Sequence, residues 1–250
     1  MPKKLEVFPV TGIPEVKDGA DVAELLLSAL RKSRMTLHDN DVVVVKQKIV
    51  SKAEGRVVRL KDVRPGRRAE KLAAEQGKDP RLVELVLREA ARIVRVGHGV
   101  IITETKHGFV CANSGVDRSN VEKGHAVLLP LDPDASARHI RKKMEEETGK
   151  KIGVMITDTF GRPWRKGQTD VAIGCSGIEP LYSYCGRTDR YGYELRVTEP
   201  AVVDEIAGAA ELITGKLIGI PAAIVRGASF TGGEVGAGSI VIEKEKDLFR

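Results

Sequence analysis

Short runs of β-branched residues alternate with helical segments along this chain, and this alternation constrains its fold more than any other feature. Apolar runs predict strands at residues 5–10, 42–45, 100–103, 109–112, 126–129, 152–157, 171–174 and 222–226. Helical spacing of apolar residues predicts helices at 21–31, 65–76, 80–94, 135–147 and 200–213. Because the strands are short and several form hairpins, we predict an α+β fold with mixed short-stranded sheets.

Two familiar nucleotide-binding motifs are missing from the sequence. No GxxxxGK[ST] is present, so a Walker-type P-loop fold is not predicted. No GxGxxG follows a predicted strand, so a Rossmann fold is not predicted either. Any nucleoside triphosphate must therefore be held by another arrangement.

Length and composition favour one globular domain. We expect a single domain over residues 1–250, with two interlocked halves that meet at a soft junction near 130–133.

The three cysteines form no CxxC pair and no apolar run is long enough to span a membrane, which favours a cytoplasmic protein without a membrane partner. The net charge of +6 fits an anionic ligand and, equally, a surface rich in Lys, Arg and Glu.

The segment 157–167, TDTFGRPWRKG, has the residue types of a metal and phosphate site. We expect Asp158 to end a strand and open a loop, where its carboxylate and the Thr159 hydroxyl can bind a hard divalent cation. Arg162 and Arg165 follow, and guanidinium groups suit phosphate and carboxylate oxygens. We therefore assign catalytic roles to Asp158, Arg162 and Arg165. A solvated turn with local ion pairs explains the local pattern equally well.

A second cluster of oxygen-bearing residues occupies positions 113–120, NSGVDRSN. Asp117 would supply a second carboxylate to the same cation, since Mg²⁺ commonly takes one or two protein carboxylates together with phosphate oxygens. Asn120 would hydrogen-bond the nucleotide. Taken alone, this pattern is more typical of an Asx-turn loop.

Two basic clusters complete the candidate sites. Strand alternation would put Lys46 and Lys48 on one face, near Lys52, where they either neutralise phosphates or form a solvated face. The charged turn at 187–192 would hold an acidic substrate or form a subunit contact. We expect no nucleic-acid partner, because acidic residues are interspersed among the basic ones and aromatic residues are only 4% of the chain.

At these residues the chain resembles the coenzyme F420-0 gamma-glutamyl ligases, GTP-dependent enzymes that add glutamate to a deazaflavin cofactor. The similar segments follow the family's order over nearly the whole chain, and the longest of them reads ITDTFGRPWRKGQTDVAIGCSGIEPL. They are residues 6–14, 50–56, 107–120, 156–181, 186–195 and 204–227.

The resemblance implies roles for individual residues. The family's metal-contacting positions match Asp117, Asp158 and Thr159. The positions that contact GTP match Ile13, Pro14, Glu15, Val16, Gln47, Lys48, Lys52, Asn120, Thr214, Gly215, Lys216, Leu217, Ile218, Gly219, Ile220 and Pro221. Lys216 departs from some members, which carry an acidic metal-facing residue there. Its backbone serves instead, or it contacts a phosphate, or the second metal site differs in this chain.

The expected reaction follows from the resemblance. It implies a homodimer with two Mg²⁺ or Mn²⁺ ions that joins L-glutamate to F420-0 through an acyl phosphate, with GTP as co-substrate and further γ-linked glutamates added afterwards. Two alternatives remain open at this point. One is a nucleotide-dependent ligase that acts on a different carboxylic acid, and the other is a non-enzymatic protein that binds polyanions.

Overall fold

The computed structural model of the chain describes residues 4–248. Within that range it has ten strands: β1 Glu6–Pro9, β2 Val42–Lys46, β3 Val57–Arg59, β4 Ala90–Gly97, β5 Val100–Thr105, β6 Val110–Ala112, β7 His125–Val127, β8 Gly153–Arg162, β9 Arg165–Ser176 and β10 Ala222–Arg226. The α-helices of the same range are α1 Val22–Lys32, α2 Gln47–Ala53, α3 Arg67–Gln76, α4 Pro80–Glu89, α5 Pro133–Thr148 and α6 Val202–Thr214.

A five-stranded sheet forms the centre of the fold, in the order β1-β10-β2-β8-β9. Only β2 and β8 run parallel to each other, and every other neighbouring pair is antiparallel. Val43 and Val45 pack into a core with α1 and α5, while Val42 and Val44 pack into a second core with α6. Burial on both faces explains why β2 is a continuous apolar run without polar alternation. The predicted α+β fold is confirmed.

The helix boundaries follow local capping chemistry. The Asp21 side chain accepts the backbone N–H of Glu24 at the start of α1, and the Asp132 side chain accepts that of Ala135 at the start of α5. Helix α5 ends at Thr148 and is capped by Gly149, whose φ of 67° is the left-handed conformation that commonly terminates helices. Between residues 4 and 248, no helix combines the length and the apolar character needed to cross a membrane.

Residues 57–127 carry two smaller sheets. Strands β3 and β7 pair with each other, and β4, β5 and β6 form an antiparallel meander that packs with α3 and α4. The predicted pairing between 100–103 and 109–112 is confirmed. The helix predicted over 80–94 is wrong in its last turn, because α4 ends at Glu89 and β4 follows at once. The β-branched residues Ile93 and Val96 suit either structure locally, and pairing with β5 selects the strand.

The predicted loop at 157–167 is instead the end of a long β-hairpin. Asp158 lies inside β8 opposite Val171, and Thr159 lies opposite Asp170. The turn itself is confined to Pro163 and Trp164, between the paired residues Arg162 and Arg165. The prediction of a loop failed because polar residues interrupt the apolar run here, while the antiparallel partner satisfies the backbone hydrogen bonds regardless of side-chain polarity.

Close packing between α5 and β9 makes Gly174 a sensitive position. A Cβ atom at Gly174 would collide with the backbone carbonyl of Pro133, in the first turn of α5. We expect Gly174→Ala to lower the free energy of unfolding by about 1–3 kcal/mol, because neither backbone can move without disturbing the core. Chemical denaturation measures this loss. Gly97→Ala is the matched control, since a Cβ at that strand position meets no atom within 4 Å. Equal stability of Gly174→Ala and the parent would contradict this packing.

Candidate active site

The strand directions gather four predicted site segments at one edge of the central sheet. Val45 of β2 lies opposite Ala222 of β10, and Lys46 lies beside Thr157 of β8. Pro9, at the end of β1, lies opposite Ala223. The loop after β1, the start of α2, the Asp158–Thr159 pair and the loop before β10 therefore converge at this edge. The resemblance assigned metal or GTP contacts to each of these four segments.

Asp158 is the electrostatic centre of this edge. Burial raises the pKa of its carboxyl group to about 7, although the backbone N–H of Thr159 and the charge of Lys48 act in the opposite direction. The neighbouring carboxylates of Asp170 and Asp117 raise it further. Within residues 4–248, no Lys or Arg forms an ion pair with Asp158. The site thus contains a partly buried carboxyl group that has a raised pKa and no cation in contact with it.

Asp117 acts on Asp158 through its charge and is itself already paired. Its carboxylate accepts hydrogen bonds from the backbone N–H of Ser119 at 2.9 Å and from the Ser119 hydroxyl at 2.7 Å, and the Lys48 ammonium lies 2.6 Å away. Burial alone would raise the pKa of Asp117, but the contacts with Lys48 and Ser119 outweigh it and lower that pKa. Asp117 is therefore ionised at neutral pH, with Lys48 as a cation that can move onto a phosphate.

A second charged group lies beside Thr159, and we call it the Lys46–Lys216 cluster. It consists of Lys46, Thr159, Asp170, Glu211 and Lys216. The Lys46 ammonium contacts both Asp170 and Glu211. The Lys216 ammonium donates to Thr159 Oγ1 at 2.5 Å and Asp170 Oδ1 at 3.0 Å, and it lies 2.8 Å from Glu211 Oε1. The Thr159 hydroxyl donates to Asp170 Oδ1 at 2.6 Å.

The ionisation of this cluster follows from its contacts. Burial would raise the pKa of Asp170, but hydrogen bonds from Lys46 and Thr159 lower it overall. Partial burial would lower the pKa of Lys216, but hydrogen bonds to Glu211 and Asp170 raise it overall. The side chains of Asp170 and Lys216 are therefore charged at neutral pH, and they compensate each other.

Sequence reasoning missed Asp170 and Glu211. Asp170 is 1% exposed within a strand, and its one visible signal was an isolated acid next to the apolar run VAIG. Glu211 lies in the last turn of α6, where the helix dipole disfavours an acidic side chain unless a cation is near.

The alternation that was expected to put Lys46 and Lys48 on one face is wrong, because β2 ends at Lys46 and α2 begins at Gln47. The change from strand to helix turns the two ammonium groups apart. Lys46 meets Asp170 and Glu211, whereas Lys48 meets Asp117.

The other residues to which the resemblance assigns GTP contacts differ in how exposed their side chains are. Lys52 pairs with Glu15 at 2.5 Å, which joins α2 to the first loop beside Ile13 and Pro14. Three of the predicted side chains are buried and would contact a nucleotide only through their backbone: Val16, Gln47 and Thr214. Asn120 is exposed in the loop after Asp117. In the loop before β10, Leu217 is 97% exposed, and the Pro221 carbonyl accepts the Lys46 N–H at 2.8 Å.

The structure does not bring Arg162 and Arg165 to Asp158. Both are exposed at the end of the hairpin, and Arg162 donates to the Lys166 carbonyl at 3.3 Å. Four residues of extended strand separate Asp158 from Arg162, which is about 13 Å along the backbone. Their catalytic role stays a prediction, as do the metal and GTP roles of the other residues.

A cavity of about 310 Å³ opens beside Asp117. Its walls combine an apolar side with basic and amide groups, and its lining residues are Lys78, Leu82, Val83, Val86, Asn113, Val116, Asp117 and Arg118. The buried side-chain oxygen of Asn113 has no hydrogen-bond partner between residues 4 and 248. The cavity therefore offers an apolar wall and two cations next to a carboxylate of the site.

The known proteins that are similar to this chain carry the name of one enzyme. The model of the family described as F420-0:Gamma-glutamyl ligase matches residues 11–227. The Coenzyme F420:L-glutamate ligase of Methanothermobacter thermautotrophicus is 43% identical over 249 residues, which covers 98% of this chain and 99% of that protein. The proteins of the same name from Methanocaldococcus jannaschii and Archaeoglobus fulgidus are 43% and 44% identical, and each alignment covers 99% of this chain and at least 97% of the relative.

Full-length similarity at this identity removes the alternative of a non-enzymatic polyanion-binding protein. The chain belongs to the F420-0:gamma-glutamyl ligase family and is an amide-bond-forming ligase.

Proposed function

We propose that this ligase joins L-glutamate to the terminal carboxylate of coenzyme F420-0 and uses GTP to activate that carboxylate as an acyl phosphate. The names of its relatives support the two organic substrates. The observation that carries the nucleotide part is the partly buried Asp158 carboxyl, which the charge of Asp117 reaches, with Lys48 and Lys52 on the adjoining helix α2. Such a site suits a triphosphate that arrives with a divalent cation.

The donor set of Asp158 and Asp117 fits one hard cation. Burying a carboxylate without a partner is costly, so the raised pKa of Asp158 indicates a place where a bound cation would restore the ionised form. Residues 4–248 contain no group of three or more His, Cys, Asp or Glu side chains that could hold a metal ion. Phosphate oxygens and water would therefore complete the shell of a Mg²⁺ or Mn²⁺ ion, as is usual for these metals at phosphoryl-transfer sites. Bound there, the cation would offset the charge of the phosphates.

The side chains of this chain then have distinct tasks. An oxygen of the F420-0 carboxylate attacks the γ-phosphorus of GTP, the bond to the β-phosphate oxygen breaks, and GDP leaves. The glutamate nitrogen next attacks the acyl carbon, phosphate leaves, and the nitrogen loses a proton to give the amide. Lys48 and Lys52 exchange their pairing with Asp117 and Glu15 for phosphate oxygens, which stabilises the charge that spreads during transfer.

The cavity beside Asp117 is the proposed place of the acceptor. Leu82, Val86 and Val116 provide an apolar wall for a flat ring system. Lys78 and Arg118 provide cations for its acidic groups. A ligand in this cavity would have its carboxylate close to the cation that Asp117 helps to hold.

Metal-free stability provides a first test. Because the folded-state pKa of Asp158 is raised, its ionisation opposes folding increasingly as pH rises from about 4 towards 7. In EDTA at pH 8, Asp158→Asn is expected to be more stable than the parent by about 2–4 kcal/mol, and the difference should vanish near pH 4. Thermal and denaturant unfolding at both pH values measure it. The exposed control Asp62→Asn should leave stability nearly unchanged.

Added Mn²⁺ with GTP should reverse this order. The parent should gain stability while Asp158→Asn should not, because only the parent offers two carboxylates to the cation. An Asp158→Asn protein that is less stable than the parent in EDTA at pH 8 would contradict the raised pKa of Asp158.

Turnover provides the second test. With F420-0, L-glutamate, GTP and Mg²⁺, we expect a product heavier by one glutamyl residue, together with GDP and phosphate. Asp158→Asn should lower kcat at least 100-fold without unfolding. Mass spectrometry of parallel reactions with ATP and with other carboxylic acids distinguishes this substrate pair from a ligase for a different acid. Glutamate addition by Asp158→Asn at the parent rate would refute the metal site.

Filling the cavity provides the third test. Leu82→Trp should raise the KM for F420-0 at least tenfold while leaving the Kd of GTP unchanged, because the larger ring occupies the space proposed for the acceptor. Leu87→Trp, on the same helix but outside the cavity lining, is the matched control. Steady-state kinetics and nucleotide titration measure the two constants. An unchanged KM in a folded Leu82→Trp protein would exclude the acceptor from this cavity.

A further inference from the structure

The Lys216 ammonium lies where three oxygen atoms from different elements converge. Thr159 Oγ1 of β8 is 2.5 Å away, Glu211 Oε1 of α6 is 2.8 Å away, and Asp170 Oδ1 of β9 is 3.0 Å away. Two carboxylates and a hydroxyl around one point form a set that prefers a hard cation. In this chain an ammonium group already occupies that point.

We propose that Lys216 acts as a built-in cation of the nucleotide site, so that each protomer binds one divalent cation and not the two that the resemblance implies. This inference rests on the proposed function, in which the one divalent cation is held by Asp158 and Asp117. The oxygens beside Thr159 do not fit a second divalent cation while Lys216 is present. Mg²⁺ needs oxygens at about 2.1 Å, and it cannot share Thr159 Oγ1, Asp170 Oδ1 and Glu211 Oε1 with an ammonium group.

Charge balance supports the same conclusion. Lys46 and Lys216 contact the same two carboxylates, Asp170 and Glu211, and this set is neutral when all four groups are ionised. A divalent cation added at this point would give a net positive cluster in a partly buried place, with two ammonium groups a few ångströms away. Repulsion at such separations is strong where water screens poorly.

The local chain explains why lysine reaches this point. Helix α6 ends at Thr214, and Gly215 turns the backbone with a φ of 51°. Lys216 follows at once, so its side chain extends back across the C-terminal end of α6, where the helix dipole favours a positive charge. The segment 215–221 reads GKLIGIP and contains no acidic residue that could bind a metal. Glu211 and Asp170 are the acidic partners there, and both contact Lys216.

Counting bound Mn²⁺ tests this inference. We would titrate the full chain with Mn²⁺ in the presence of the non-hydrolysable imido analogue of GTP and follow free Mn²⁺ by electron paramagnetic resonance. The expected stoichiometry is one Mn²⁺ per protomer for the parent and two for Lys216→Glu, because the substitution removes the ammonium and adds a carboxylate. Lys216→Arg retains the cation and is the matched control, with one Mn²⁺ expected.

Lys216→Gln provides a second variant, which removes the charge without adding a ligand. It should also gain a second Mn²⁺ site, although a weaker one than in Lys216→Glu. Circular dichroism and thermal unfolding confirm that each variant is folded. A parent that binds two Mn²⁺ ions, one of which is lost in Thr159→Ala, would overturn the inference. Failure of both folded Lys216 variants to gain a site would overturn it as well.

A different result of the same experiment would refute the proposed function. If Asp158→Asn binds as many Mn²⁺ ions as the parent, the site at Asp158 and Asp117 is refuted. The inference about Lys216 depends on the difference of one ion between Lys216→Glu and Lys216→Arg, and this difference can be measured whether or not Asp158 binds a metal. The two ideas can therefore be rejected separately.

Discussion

The parallel pairing of β2 with β8 is the contact on which the rest of the site depends. It puts Lys46 beside Thr157 at the carboxyl ends of two buried strands. The positions of the site residues that follow each strand depend on this pairing. Past Lys46 the chain turns into α2 and directs Lys48 towards Asp117. Past Thr157 the strand continues with Asp158 and Thr159. Two apolar strands that are stable because both faces are buried thus hold a charged edge in place.

The charges at this edge form two groups with different characters. The Asp158 carboxyl has no ammonium partner of its own, and its raised pKa reflects this uncompensated negative charge. In contrast, the carboxylates of Asp170 and Glu211 each have two ammonium partners, Lys46 and Lys216. An external cation can therefore bind at Asp158 and Asp117, while the protein's own lysines neutralise Asp170 and Glu211. The cost of burying charge is thereby confined to the place where a ligand can offset it.

Residue patterns predicted much of the fold but only part of the candidate site. The apolar runs at 42–45 and 222–226 and the capped helix after Asp132 appear in the structure close to their predicted bounds. The hairpin at 157–167 did not follow from its pattern, because pairing with a partner strand overrides the polar character of the segment. Asp170 and Glu211 escaped notice for a related reason. Each is an ordinary acid locally and becomes part of a site only through contacts with Thr159 and Lys216, which are distant in the chain.

The sequence by itself determined the α+β class, the absence of a Walker or Rossmann phosphate site, and the family resemblance, because these depend on local periodicity and on contiguous motifs. The tertiary structure alone decided which charged groups meet. Lys46 and Lys48 point to different partners, and Arg162 and Arg165 lie at the exposed end of a hairpin. The Lys216 ammonium donates hydrogen bonds to Thr159 and Asp170. Contacts of this kind depend on strand direction and register between distant segments, and pairing energies set these only when the whole sheet assembles.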